Sequence, residues 1–142
     1  MTGLLLDTHA FLWHVMGISA GFSEGVRSII AKADTERQLH IAAISLWEIA
    51  MLADRRRIQI ALPVSHWLED ALTRTGIHLI PLDPFVAGTS GSLTMHGDPA
   101  DRLIVATALT HGHTLCTQDD KILAYAALHP ELKILPLRSA PE

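Results

Sequence analysis

Five acidic side chains of this sequence stand where a site would need carboxylates. Asp7 closes the apolar run Gly3-Leu4-Leu5-Leu6, Glu48 follows Ser45-Leu46-Trp47, Asp98 and Asp101 flank Pro99-Ala100, and Asp119 follows Leu115-Cys116-Thr117-Gln118. Each borders an apolar segment, so folding strips water from it. Two carboxylates about 4 Å apart repel by about 4 kcal/mol at an effective dielectric of 20, and only protons or a cation relieve such crowding. Arg102, beside Asp101, is the one basic residue at these strand ends. A divalent cation is therefore the simpler neutraliser, and ligation by oxygen alone selects a hard ion, Mg²⁺ or Mn²⁺, over zinc.

Each acid also has a structural role open to it. Ser45-Leu46-Trp47-Glu48 fits a capping box, Asp98-Pro99 is a helix cap followed by proline at the first helical position, and Asp119 can cap the last helix. Asp7 fits a cap least well, because it ends a strand. Thr8, Ser45 and Thr117 are spaced to orient the carboxylates or a water, with capping the other role for Ser45.

The elements that must position these acids follow from periodicity. Gly3 to Leu6 reads as a strand, and Ala10 to Met16 as a buried helix. Val26, Ile29, Ile30 and Ala33 mark an amphipathic helix capped by Ser23. His40 to Ile44 reads as a second strand, and Leu46, Ile49, Ala50 and Ala53 mark a helix that Ser45 caps and Arg55-Arg56-Arg57 closes with solvated positive charge. A fourth helix follows Pro63, with Val64, Trp67, Leu68 and Ala71 on its apolar face. Ile77 to Leu82 is a third strand, and Pro81 to Pro99 holds a short helix between loops. Pro99 opens a central helix that is apolar from Leu103 to Leu109. Thr114 to Thr117, Lys121 to Leu128 and Lys133 to Leu137 complete the chain as strand, helix and strand.

Strands that alternate with helices predict a mostly parallel sheet covered on both faces, an α/β/α sandwich. In such a sheet the strand ends and the following helix starts share one edge, where ligands bind. All five acids fall on that edge.

At 142 residues the chain suits one domain, residues 1–142, and 49% apolar against 18% charged residues predicts a folded chain. No Lys or Arg precedes Arg27, and Asp7 and His9 interrupt the apolar start, so neither a signal peptide nor a membrane span is expected. Cys116 is the single cysteine, which fits a reducing cytoplasm. A net charge of −4 argues at first against a nucleic-acid partner, yet with five of the fifteen acids on cations, ten remain against eleven bases. Nine histidines, among them His111 and His113, are scattered without ligand spacing, and Trp13, Trp47 and Trp67 read as core or interface residues.

The resemblance becomes specific in four segments. Leu4-Leu5-Leu6-Asp7-Thr8-His9, Ile44-Ser45-Leu46-Trp47-Glu48-Ile49, Asp98-Pro99-Ala100-Asp101-Arg102-Leu103-Ile104-Val105-Ala106-Thr107-Ala108 and Leu115-Cys116-Thr117-Gln118-Asp119 resemble, in order, the four motifs of PIN-domain ribonucleases, especially VapC-type toxins of bacterial toxin–antitoxin pairs. The resemblance implies a cytoplasmic endoribonuclease that cuts single-stranded RNA with Mg²⁺ or Mn²⁺, leaving 5′-phosphate and 3′-hydroxyl ends. It implies Asp7, Glu48, Asp101 and Asp119 as catalytic and metal-holding residues, with Asp98 an extra acid of the third motif. It also implies a homodimer and an antitoxin whose C-terminal segment covers the groove. Two other readings place an Asp at the end of a parallel strand, a phosphoaspartyl phosphatase and a receiver domain. The first wants a second Asp where His9 stands, and the second wants an acidic pair before its Asp and a later Lys. A binding module whose acids only cap helices is the non-enzymatic alternative.

Overall fold

The computed structural model describes residues 3–60, 63–95 and 97–138. Its elements run β1 (Leu4–Leu6), α1 (Thr8–Met16), a 3-10 turn (Ser19–Gly21), α2 (Glu24–Thr35), β2 (Leu39–Ala42), α3 (Ala43–Asp54) and α4 (Val64–Thr75). Then follow β3 (His78–Ile80), α5 (Pro84–Ser92), α6 (Pro99–His111), β4 (Thr114–Thr117), α7 (Asp120–Leu128) and β5 (Ile134–Pro136). All strand pairs are parallel, in the order β3-β2-β1-β4-β5.

Side-chain alternation along β1 builds the layers. Leu6 and Cys116 face a core completed by Phe11, Val26, Ile30 and Ile49 from α1, α2 and α3. Leu5 and Leu115 face the other way, onto Ile104, Val105 and Ala108 of α6 and Ile122 of α7. The sheet is thus covered on both faces, as the alternation of elements predicts. Leu5 and Leu6 of β1 are at 0% exposure, as fits a central strand paired on both sides.

The order of the strands fixes the place of a site. From β1 the chain winds outward through β2 and β3, then returns to the other side of β1 for β4 and β5. The winding reverses between β1 and β4, and the crevice beyond the carboxyl ends of those two strands is where open α/β sheets bind ligands. Asp7 follows β1 and Asp119 lies two residues past β4.

Boundaries move from the expected ones for local reasons. β2 passes into α3 without a loop: Ala42 is both the last residue of the strand and the helix cap. The run Ala42-Ala43-Ile44 contains no breaker, so the helix starts ahead of Ser45, which therefore caps nothing. α1 likewise starts at Thr8 rather than at Ala10. α6 stops at Gly112, whose φ of 67° lies in the left-handed region that glycine adopts without strain, and β4 follows after one residue. Among the described residues no helix is long and apolar enough to cross a membrane.

Candidate active site

Asp7 does cap a helix, against the expectation that it fits this role least. Its Oδ1 accepts the Ala10 N–H at 2.8 Å, while its Oδ2 accepts the Thr117 hydroxyl. Thr117 Oγ1 in turn accepts the Asp119 N–H at 3.1 Å, so one hydroxyl joins the ends of β1 and β4. Asp119 caps α7 through Oδ1 to Ile122 N at 3.0 Å, and Asp98 caps α6 through Oδ1 to Ala100 N at 2.8 Å. In the two outer caps, one oxygen serves the helix and leaves the other for the crevice. Capping and ligation are therefore compatible roles of a single carboxylate.

Glu48 reaches the same place from farther along its helix. Because α3 starts at Ala43, Glu48 lies in its second turn, not its first, and the expected capping box with Ser45 does not form. Thr8 donates to Glu48 Oε1, and Thr8 Oγ1 and Ser45 Oγ are hydrogen-bonded at 3.0 Å. With its one proton given to Glu48, Thr8 takes that of Ser45, which is wholly buried. Thr8, Ser45, Asp98 and Thr117 thus all touch the carboxylate group or its supports.

The five acids line one cavity of about 350 Å³ together with Thr8, His9, Trp13, Ile104, Gln118 and Leu137. No Lys or Arg is among these lining residues. Arg102 follows Asp101 in sequence but turns away, donating to the carbonyls of Met95, Ser90 and Leu93. It neutralises none of the acids. Burial, then the neighbouring charges of Asp119, Asp98, Glu48 and Asp7, pushes the Asp101 carboxyl up to about 7. Burial likewise raises Glu48, against the hydrogen bond from Thr8, and Asp7, against those from Thr117 and Ala10.

Among the described residues no three His, Cys, Asp or Glu side chains already enclose a metal site. The donor set nevertheless suits a hard cation: it is all oxygen and crowded, with no fixed positive charge lining it. Sequence reasoning did not single out His9, Trp13 or Gln118 as lining residues. For His9 the signal was present, since it lies two residues after Asp7, on the first turn of α1. For Trp13 and Gln118 only the packing reveals it. Of the other tryptophans, Trp67 packs against the core and Trp47 is 54% exposed. The histidines are less scattered than their sequence positions suggest. His40, His78, His111 and His113 gather at the opposite edge of the sheet, with the rings of His40 and His113 stacked at 4.0 Å.

A parallel α/β sandwich with carboxylates converging from α3, α6 and the ends of β1 and β4 defines an α/β protein with an acidic site at a sheet switch point. The chain belongs to the PIN domain family, whose pattern it matches over residues 4–128. It is 39% identical over 132 residues to Ribonuclease VapC22 of Mycobacterium tuberculosis, covering 92% of this chain and 95% of that one. In fold it is similar to DNA-bound VapBC from Salmonella typhimurium, with a TM-score of 0.68, 18% identity and coverage of 96% of this chain and 99% of that chain. It is also similar to VapBC2 from Rickettsia felis bound to a fragment of its promoter, with a TM-score of 0.66, 16% identity and coverage of 94% and 97%. Membership of this family sets aside the phosphatase and receiver readings. The three-layer architecture expected from the sequence is the one observed.

Proposed function

We propose that the protein is a metal-dependent endoribonuclease that cuts single-stranded RNA, the toxin of a cytoplasmic toxin–antitoxin pair. The observation that carries the reading is the group of five carboxylates in one cavity without a lining Lys or Arg, in a chain 39% identical to a named ribonuclease. Asp7, Glu48, Asp101 and Asp119 are the residues assigned to hold Mg²⁺ or Mn²⁺. Such an ion, when bound, supplies the positive charge that polarises a phosphodiester and acidifies water.

The chain's own residues then have distinct tasks. Thr117 holds Asp7 against β4, and Thr8 holds Glu48 across from α1, so neither carboxylate is free to rotate. The helix caps fix Asp98 and Asp119. Asp101 accepts no hydrogen bond among the described residues, and burial among four other acids makes it the carboxylate that gains most from a cation. An antitoxin segment as occupant of the crevice, supported by the likeness to VapBC structures, completes the reading, together with the homodimer that the family resemblance implies.

The test is cleavage of a single-stranded RNA by the purified chain with Mg²⁺ or Mn²⁺ and with EDTA, followed by sequencing of the ends. Cleavage that requires metal, leaves 5′-phosphates and disappears in Asp101→Asn is the expected result. Undiminished cleavage in EDTA overturns the mechanism.

A further inference from the structure

A cavity lined by carboxylates has to admit a polyanion, and its walls offer no Lys or Arg to attract one. The cations stand just outside it. On the α1 face of the sheet, the Arg138 guanidinium lies 5.9 Å from the centre of the Trp13 ring, and the backbone N–H of Arg138 donates to Gln118 Oε1 at 3.0 Å. Trp13 and Gln118 both line the cavity, so Arg138 is fastened to its rim. His9 also lies against Trp13, with ring centroids 5.9 Å apart. Both His9 and Arg138 are exposed.

The Trp13 platform is rigid. Its ring meets Phe22 edge-on at 5.8 Å, and a Cβ on Gly21 would come within 2.2 Å of it, so only glycine admits the ring there. On the α7 face, exposed Lys121 runs past Gly97, with its Nζ 3.8 Å from where a Cβ of Gly97 would be, next to Asp98 of the cavity. One cation therefore stands at each face of the sheet, and the acids lie on the edge between them.

Resting on the nuclease reading, we propose that single-stranded RNA crosses this edge from face to face. Arg138 and Lys121 each hold a phosphate, a base stacks on the His9 ring, and the intervening phosphodiester lies over the carboxylates. Phosphate contacts give register, and an exposed aromatic ring accepts any base by its face, which suits a single strand. Each neutralised phosphate releases about 0.7 of a counterion from single-stranded nucleic acid, so the two cations leave a signature in salt dependence.

The experiment measures binding of a fluorescein-labelled oligoribonucleotide by anisotropy across a salt series, in an Asp101→Asn background with Mg²⁺, and KM and kcat in the otherwise native protein. Arg138→Gln and Lys121→Gln are each expected to raise KM about tenfold at low salt and to lower the salt slope by about 0.7. Lys32→Gln on α2, distant from the edge, should leave both unchanged. His9→Ala should raise KM, and His9→Phe should restore it, because stacking needs only the ring. Unchanged KM and slope in both cation variants, with Asp101→Asn inactive, overturns the path and leaves the nuclease reading intact. Activity that survives Asp101→Asn overturns the nuclease reading itself. A KM for His9→Phe as high as that of His9→Ala overturns the stacking role.

Discussion

Asp101 bears the least compensated charge of the site. Asp7, Asp98 and Asp119 each gain a helix-capping hydrogen bond, and Glu48 gains the Thr8 hydroxyl, whereas Asp101 is half-buried among four other acids and accepts none among the described residues. Its neighbour Asp98 differs in a testable way. Asn can take over the cap to Ala100 N at a cost of a few tenths of a kcal/mol, because its side-chain oxygen accepts the same bond. Asp98→Asn should therefore keep a substantial part of the cleavage activity. Asp101→Asn should lose at least a hundredfold, bind Mn²⁺ more weakly by calorimetry, and melt higher than the native chain without metal, by roughly 1 kcal/mol or about 4 °C. Equal losses in the two variants would make Asp98 a metal-holding residue of the same rank. The opposite order would show that the third motif acts through Asp98 instead of Asp101.

The elements place these side chains only if their starting points hold, and α6 depends on a clamp. Arg102 donates to the carbonyls of Ser90 near the end of α5 and of Leu93 and Met95 in the loop before α6, groups that no helix or strand satisfies. Hydrogen bonds from a charged donor contribute about 1.5–3 kcal/mol each, and stranding the carbonyls costs more than their mean. Arg102→Met should destabilise the fold by roughly 2–3 kcal/mol, lower kcat and weaken Mn²⁺ binding well below its melting temperature, with Arg102→Lys recovering part of each. If kcat and Mn²⁺ affinity are unchanged in folded Arg102→Met, the clamp serves stability alone. The sequence made Arg102 legible as a basic residue beside an acid, but not its direction, which packing of α5 on α6 decides. The same division holds elsewhere. Asp7, Asp98, Asp101 and Asp119 were legible because strand ends and proline-opened helices follow from periodicity. The start of α3 was not, because Ala42-Ala43-Ile44 suits strand and helix equally and only the pairing of His40 with His78 and of Ala42 with Ile80 shows where the strand ends. The histidine group was illegible for a related reason: four residues spread from 40 to 113 meet only through the strand order.

At the scale of the molecule, the parallel sheet separates two titrating groups by its own length, carboxylates beyond the carboxyl ends of the strands and histidines at their starts. His40 sits against Gly3, its Nε2 buried without a partner among the described residues, and faces the rings of His113, His78 and, farther off, His111. Burial first, then those imidazoles, pulls its pKa from 6.5 down to about 4. The unfolded chain therefore takes up a proton below pH 6.5 that the folded chain refuses until about pH 4, and stability is lost as pH falls through that interval. Asp101 has the opposite sign. Its folded pKa of about 7 exceeds the ordinary 3.8, so the folded chain holds a proton that the unfolded chain releases, and stability is lost as pH rises from 3.8 through 7. Without metal, acid strains one edge and neutral pH strains the other. Melting temperatures measured from pH 4.5 to 8.5 in EDTA should then separate the two edges by substitution. Because the two intervals overlap and their signs oppose, the native curve carries their sum: His40→Gln should make the melting temperature fall more steeply with pH between 4.5 and 6.5, while Asp101→Asn should make it rise with pH there. Mn²⁺ should raise the melting temperature more at pH 8 than at pH 5, since the carboxylates it binds must first lose their protons. A His40→Gln curve that superimposes on the native curve between pH 4.5 and 6.5 would show that the histidine edge does not govern stability, and a metal shift equal at both pH values would show that the ion binds away from the titrating acids.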